Sequence, residues 1–126
     1  MAPPLIVLDT TVLVDLLRGF DASRQFVDAL DRRITCSEVT RVELLQGMRS
    51  HERSRTERLL SIVHWVPVDE GIARHAGMLG RRFRQSHSGI GAVDLIVAAT
   101  ALELQAPLAT HNVRRFPMFK GLQPPY

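Results

Sequence analysis

Residues 5–17 read LIVLDTTVLVDLL, an almost unbroken aliphatic run that nevertheless holds two aspartates, Asp9 and Asp15. An ionised carboxylate in apolar surroundings is costly unless it is paired or bound to a cation. The run also changes character part-way. Residues 4–8 are β-branched and aliphatic, the pattern of a strand buried in a parallel sheet. Thr10 or Thr11 is then placed to cap a helix, and Gly19 to end it.

The rest of the chain repeats this alternation. A helix is predicted over 22–33 and a short strand over 34–36. Ser37 caps a further helix to about residue 48, with apolar positions Val39, Val42, Leu45 and Met48. Residues 52–62 are helical and arginine-rich. Residues 63–68 form an extended link or edge strand, since Pro67 would disrupt a central one. Asp69 starts a helix whose apolar stripe is Ile72, Ala76, Leu79 and Phe83. Residues 86–91, SHSGIG, are a loop. Residues 92–104 are apolar on nearly every side, so that helix is central and buried. A last strand over 107–110 leads into a polar turn and a tail containing Pro and Gly. Strands alternating with helices imply an α/β sandwich with a mostly parallel central sheet. Ligands of such sheets sit beyond the carboxyl ends of the strands. At 126 residues, with no internal repeat or linker, the chain reads as a single domain over 1–126.

Hydrophobic residues make up 45% and charged residues 23%, the balance of an ordinary soluble globular protein. The formal net charge is +3, and Lys120 is the only lysine, so the basic side is arginine. Guanidinium forks match phosphate oxygens and stack on bases, which leans toward a nucleic-acid partner. Genomic base composition gives the same bias. Cys36 stands alone, so no internal disulfide is expected, in keeping with a reducing cytosol. No segment reaches the roughly 20 apolar residues of a transmembrane helix. No basic stretch precedes the N-terminal run, so no signal peptide is expected. The chain reads as cytoplasmic, without a membrane partner.

Three acids stand out. Asp9 follows the first strand directly; alone it is readable as a helix cap. Glu43 lies inside the third helix, four residues before Gly47, whose cost of about 1 kcal/mol in a helix interior asks for space beside a ligand or for a close helix crossing. Alone Glu43 reads as a solvated helix face. Asp94 lies in the first turn of the driest helix, GAVDLIVAATALEL, where dipole stabilisation of about 0.3–1 kcal/mol does not obviously offset burial. Near successive strand-to-helix transitions the three acids converge on one sheet edge. Carboxylates about 4 Å apart repel by roughly 4 kcal/mol at a protein-like dielectric, so a cation belongs between them. Oxygen-only ligands favour Mg²⁺ or Mn²⁺, and no histidines stand at zinc-binding spacing. In LATHNVRRF, Thr110 and Asn112 follow the last strand and reach the same edge, where they would hold a water or a phosphate. A simple turn is the plainer reading.

Taken together, LIVLDTTVLVDLL, VTRVELLQG, GAVDLIVAATALEL and LATHNVRRF, in that order and separation, resemble the PIN-domain ribonucleases, most closely the VapC toxins of bacterial toxin–antitoxin pairs. The resemblance spans nearly the whole chain. It implies a PIN-like three-layer sandwich and a Mg²⁺-dependent endoribonuclease, with Mn²⁺ as a substitute ion. Asp9, Glu43 and Asp94 resemble the family's first, second and third acids. Thr11 resembles the hydroxyl residue that supports the first, and Thr110 and Asn112 match the motif of the last strand. Many relatives add a further acid here. In this chain Asn112 stands at one such position and Arg114 and Arg115 follow, which leaves the number of metal ions open. The implied reaction is hydrolysis of an RNA phosphodiester by metal-activated water, with Asp9 and Asp94 as direct ligands. Glu43 would bind through water or orient the nucleophile. Arg81, Arg82, Arg84, Arg114 and Arg115 are candidates to hold RNA phosphates, each also readable as an ordinary solvated side chain. A VapC toxin implies a homodimer and a cognate VapB-like antitoxin.

Other readings fit less well. A haloacid-dehalogenase-like phosphatase needs a second aspartate two residues after the first, where this chain has Thr11. A receiver-type domain needs a lysine late in the sheet, and Lys120 lies in the tail. A PIN-fold RNA- or protein-binding module without catalysis stays open. Asp15 lies four residues past Thr11 and would reach the same rim; it is read as a solvated or salt-bridged helix residue.

Overall fold

The computed structural model describes residues 3–126. Strand β1 (Leu5–Leu8) leads into α1 (Thr10–Leu17) and α2 (Asp21–Asp28). Strand β2 (Arg33–Ser37) is followed by α3 (Glu38–Gly47), a short 3₁₀ turn and α4 (Arg53–Ile62). Then come β3 (His64–Val66), α5 (Glu70–Phe83), α6 (Ala92–Leu104), β4 (Leu108–Ala109) and a 3₁₀ turn over Val113–Arg115. The sheet order is β3-β2-β1-β4, and all three pairings are parallel. Among the described residues no helix is long and apolar enough to cross a membrane.

Alternation along β1 builds the layers. Val7 points to one face, where α5 and α6 supply Ile72, Ala76, Leu79, Leu95 and Val97. Ile6 and Leu8 point to the other, against Leu13 and Leu17 of α1, Leu44 of α3 and Leu60 of α4. Each of the Val, Ile and Leu side chains among them contributes about 1.5–3 kcal/mol by leaving water. The lone Cys36 is wholly buried in this second layer, and burial pushes its thiol up to about 12. Gly80 lets α5 approach α6 closely, since a Cβ there would stand 3.0 Å from Leu95 Cδ1. That crossing seats the first turn of α6.

Several expectations shift in detail. The second helix ends at Asp28, well short of residue 33. Arg33 instead pairs with Leu5, and its N–H donates to Pro4 O at 2.7 Å. The first helix has Asp9, not Thr10 or Thr11, at its cap position. Gly19, at φ +71°, does stand just past its end. The helix from Ser37 starts as expected, with Val39 N–H donating to Ser37 Oγ at 3.2 Å. Its apolar stripe faces the core only in part, however, with Val39 packed against it. Thr40 and Leu44 are buried, while Val42 and Leu45 are 59% and 39% exposed. That rotation turns Glu43 toward the sheet edge. Gly47 proves to be the last residue of α3, and a Cβ there would meet nothing, so no close helix crossing explains it.

Chain direction reverses once across the sheet. From β1 it moves to β2 and β3, then returns through α5 and α6 to place β4 on the other side of β1. Ligand crevices of parallel sheets open at such switch points, beyond the strands' carboxyl ends. Here that point lies between Asp9, after β1, and Thr110, after β4.

Candidate active site

Asp9 is held at this switch point from two sides. Its backbone N–H donates to Ala109 O at 3.0 Å, which carries the β1–β4 pairing one residue further. Its side chain is buried and makes no helix-cap bond. Instead the Thr110 hydroxyl donates to Asp9 Oδ2 at 2.7 Å. Asn112 N–H donates to that same hydroxyl oxygen at 3.0 Å, which leaves the Thr110 proton for the carboxylate. Thr11 Oγ1 stands further off, 3.5 Å from Oδ2, and accepts the His111 N–H at 3.3 Å.

Glu43 reaches the pocket from α3, and the Thr10 hydroxyl donates to its Oε1 at 2.6 Å. Asp94, the third residue of α6, reaches back so that Gly91 N–H donates to its Oδ2 at 3.0 Å. This bond satisfies one free donor of the helix start. Arg115 Nη1 lies 3.9 Å from the same oxygen. Burial pushes the Asp94 carboxyl above the ordinary aspartate range. The Gly91 N–H and the Arg115 guanidinium pull it down, and the charge of Asp9 adds to the rise.

Together Asp9, Glu43 and Asp94 line one open pocket of about 460 Å³, with Thr11, Asn112 and Arg115 on its walls. Thr110 is fully buried behind Asp9 and does not line the pocket. Arg114 lines a neighbouring cleft with Ser86, His87 and Ser88. Arg81, Arg82 and Arg84 are exposed at the end of α5 and do not line the pocket.

Three comparisons with known proteins bear on this arrangement. The family model for the PIN domain matches residues 6–120. Ribonuclease VapC19 of Mycobacterium tuberculosis is 48% identical over 123 residues, covering 95% of this chain and 98% of the relative. The chain belongs to the PIN-domain family of VapC ribonucleases. Ribonuclease VapC10 of the same organism is 43% identical, covering 97% and 93%. Among solved structures, a toxin–antitoxin complex from Klebsiella pneumoniae superposes with a TM-score of 0.82 at 26% identity, covering 96% of this chain and 98% of that one. VapBC-1 from nontypeable Haemophilus influenzae gives a TM-score of 0.74 at 29% identity, covering 94% and 95%. The PIN-like α/β sandwich expected from the sequence is thus the fold found.

The donor set suits the divalent ion that the family implies. It consists of carboxylate oxygens of Asp9, Glu43 and Asp94, with Asp15 a fourth acid on the wall beside Thr10, Thr11, His111, Asn112 and Arg115. Among the described residues no three or more His, Cys, Asp or Glu side chains stand close enough together to hold a metal ion between them. A divalent ion bound here would take its protein oxygens from Asp9 and Asp94 and keep part of its hydration shell.

Two features escape sequence reasoning. Thr10, rather than only its neighbour Thr11, serves an acid. Its position at the first turn of α1 was visible, but its partner lies 33 residues away. The second is a group at the rim. Tyr126 donates its hydroxyl to Asp15 Oδ2 at 2.6 Å, and burial together with this bond raises the phenol above its ordinary range. Its ring meets His111 edge-on at 4.4 Å, and His111 Nε2 lies 3.6 Å from Asp15. Asp15 therefore does line the pocket, tied to the tail instead of solvated.

Proposed function

We propose that this chain is the toxin of a VapBC-type pair, a Mg²⁺-dependent endoribonuclease whose reaction takes place at Asp9, Glu43 and Asp94. The observation that carries this reading is the convergence of those three acids, from β1, α3 and α6, on one pocket at the switch point of the sheet. The VapC ribonucleases to which the chain is similar, and the VapBC complexes that share its fold, support the reaction class and the partners. These are an RNA substrate, a VapB-like antitoxin and a second copy of the chain.

Asp9 and Asp94 are the direct ligands in this reading, because each turns a carboxylate into the pocket from a rigid backbone position. A bound Mg²⁺, or Mn²⁺ in its place, supplies acidified water and offsets charge on the phosphoryl group. Glu43 keeps Oε1 on Thr10, which leaves Oε2 to accept a proton from the attacking water. The water oxygen bonds to phosphorus, one phosphorus–oxygen ester bond breaks, and the departing oxygen takes up a proton. Thr110 and Thr11 hold Asp9 in place. Arg114 and Arg115, with Arg81, Arg82 and Arg84 further out, attract the RNA backbone.

The test is cleavage of total cellular RNA by purified protein with Mg²⁺, with Mn²⁺, and with a chelator. Asp9→Asn and Asp94→Asn are each expected to cost more than about a hundredfold in rate, with the circular dichroism spectrum unchanged. Full activity in both folded variants would overturn the assignment.

A further inference from the structure

The three acids differ in which residues hold them but share one pattern. Each has one oxygen committed to the protein and one left over. Asp9 Oδ2 takes the Thr110 hydroxyl, Glu43 Oε1 takes the Thr10 hydroxyl, and Asp94 Oδ2 takes the Gly91 N–H. Among the described residues the opposite oxygens accept no hydrogen bond. The open oxygens of Asp9 and Asp94 would serve one ion that keeps several waters, with that of Glu43 left for the attacking water. Each committed oxygen keeps a second lone pair, so what bears on a second ion is the positive charge the pocket already holds.

One further cation is already present. Arg115 lines the pocket with its Nη1 3.9 Å from Asp94 Oδ2, on the committed side of that carboxylate. Its backbone is fixed, with N–H donating to Asn112 O at 2.9 Å and the next residue, Phe116, buried in the core. Its side chain is 53% exposed and so has room to turn from Asp94 toward a ligand. A guanidinium offers paired donors that match two phosphate oxygens, which a second metal ion would otherwise neutralise.

We propose that Arg115 is the second positive charge of this site, so that the chain holds a single divalent ion and Arg115 grips the phosphate beside it. The proposal rests on the reading of the pocket as the metal and phosphodiester site. Arg115 is a positioning residue in the resting state, paired with Asp94, and engages the substrate phosphate once that carboxylate takes the ion.

Two measurements on the purified full chain test this together: Mn²⁺ stoichiometry and affinity by electron paramagnetic resonance, and steady-state cleavage of an RNA oligonucleotide. The wild-type protein is expected to bind one Mn²⁺. Arg115→Ala is expected to bind Mn²⁺ more tightly, by roughly three- to tenfold as the competing charge is lost, while KM rises and kcat falls. Arg115→Lys should return Mn²⁺ affinity to near the wild-type value and recover part of the activity. A merely structural arginine would lower both properties in the alanine variant. Two Mn²⁺ per wild-type chain, or an alanine variant with unchanged KM, kcat and Mn²⁺ affinity, would overturn the role of Arg115 alone. A wild-type chain that binds no Mn²⁺ would overturn the metal-site reading, and this inference with it.

Discussion

Asp9 and Asp94 line the same pocket but are gripped in opposite ways. Asp9 is 6% exposed, its backbone is stitched to β4, and the Thr110 hydroxyl donates to its side chain. Asp94 hangs from the first turn of a helix, takes one backbone N–H, and has the half-exposed Arg115 as its ion-pair partner among the described residues. A buried carboxylate with a hydrogen-bond donor built for it is satisfied whatever the pocket contains. A carboxylate that depends on a distant guanidinium is not, and its raised proton affinity records the deficit. One wall therefore defines where charge must sit. The other is left short of positive charge, which an incoming cation supplies.

If that contrast is right, the largest effect of a residue touching neither ion nor RNA belongs to Thr110. Thr110→Val keeps the shape of a fully buried side chain and deletes the hydroxyl. Cleavage is expected to fall by about 10–100-fold, the usual cost of a lost partner behind a metal ligand. Stability should fall by about 1–3 kcal/mol in urea denaturation, since a buried acceptor loses its donor. Thr10→Val removes the equivalent hydroxyl from Glu43, but Glu43 is half-buried and water replaces the donor. Its rate loss should be smaller, about tenfold or less, with little change in stability. Equal damage from the two would break the comparison.

These contacts also mark how far the sequence was legible. Asp9 and Asp94 stood out because each is a charge inside an apolar segment, and burial makes such a charge conspicuous. The strand order was open, but a parallel α/β sheet limits where ligands bind, so the convergence on one edge was readable. What failed was phase and long-range pairing. Along α3 the apolar positions Val42 and Leu45 continue from Val39 as a core stripe would, yet they are exposed, and Val39 packs inward with Thr40 and Leu44. Arg33 suits a helix end as well as a strand start, and only its pairing with Leu5 decides between them. Thr10 and Thr11 are adjacent hydroxyls, and their division between Glu43 and Asp9 depends on a helix placed by another part of the chain. The link from Tyr126 to Asp15 spans 111 residues and has no local signature.

The next effect down is on stability. Asp94 holds its proton more tightly in the fold than in the unfolded chain. Its ionisation therefore costs the metal-free fold nothing below the ordinary aspartate value, near pH 4, and costs progressively more as pH rises through the raised value. Above the raised value the cost is present in full. Asp94→Asn keeps an acceptor for Gly91 N–H and removes the charge. Without metal, the variant should melt slightly above the wild type at neutral pH, and the gap should close as pH falls toward 4. Excess Mg²⁺ should raise the wild-type midpoint and not that of the variant, reversing the order. A variant less stable than the wild type at neutral pH without metal would mean that Asp94 is a structural anchor, and the contrast between the walls would fail.

The smallest effect is expected at Thr11, the residue sequence resemblance marked as the support of Asp9. Its hydroxyl oxygen is 3.5 Å from Asp9 Oδ2, at the outer limit of a useful hydrogen bond, against 2.7 Å for Thr110. Its firmer contact is the His111 N–H at 3.3 Å, which ties the start of α1 to the turn after β4. Thr11→Val should leave cleavage within about threefold of the wild type, less than the loss of a well-formed partner behind a ligand. The change should appear instead as faster hydrogen exchange at the His111 amide, measured by NMR. Were Thr11→Val as damaging as Thr110→Val, the hold on Asp9 would be shared between the two hydroxyls. Asp9 would then tighten against Thr11 only when the pocket is loaded, and the rigid wall would be a property of the loaded site instead of the fold.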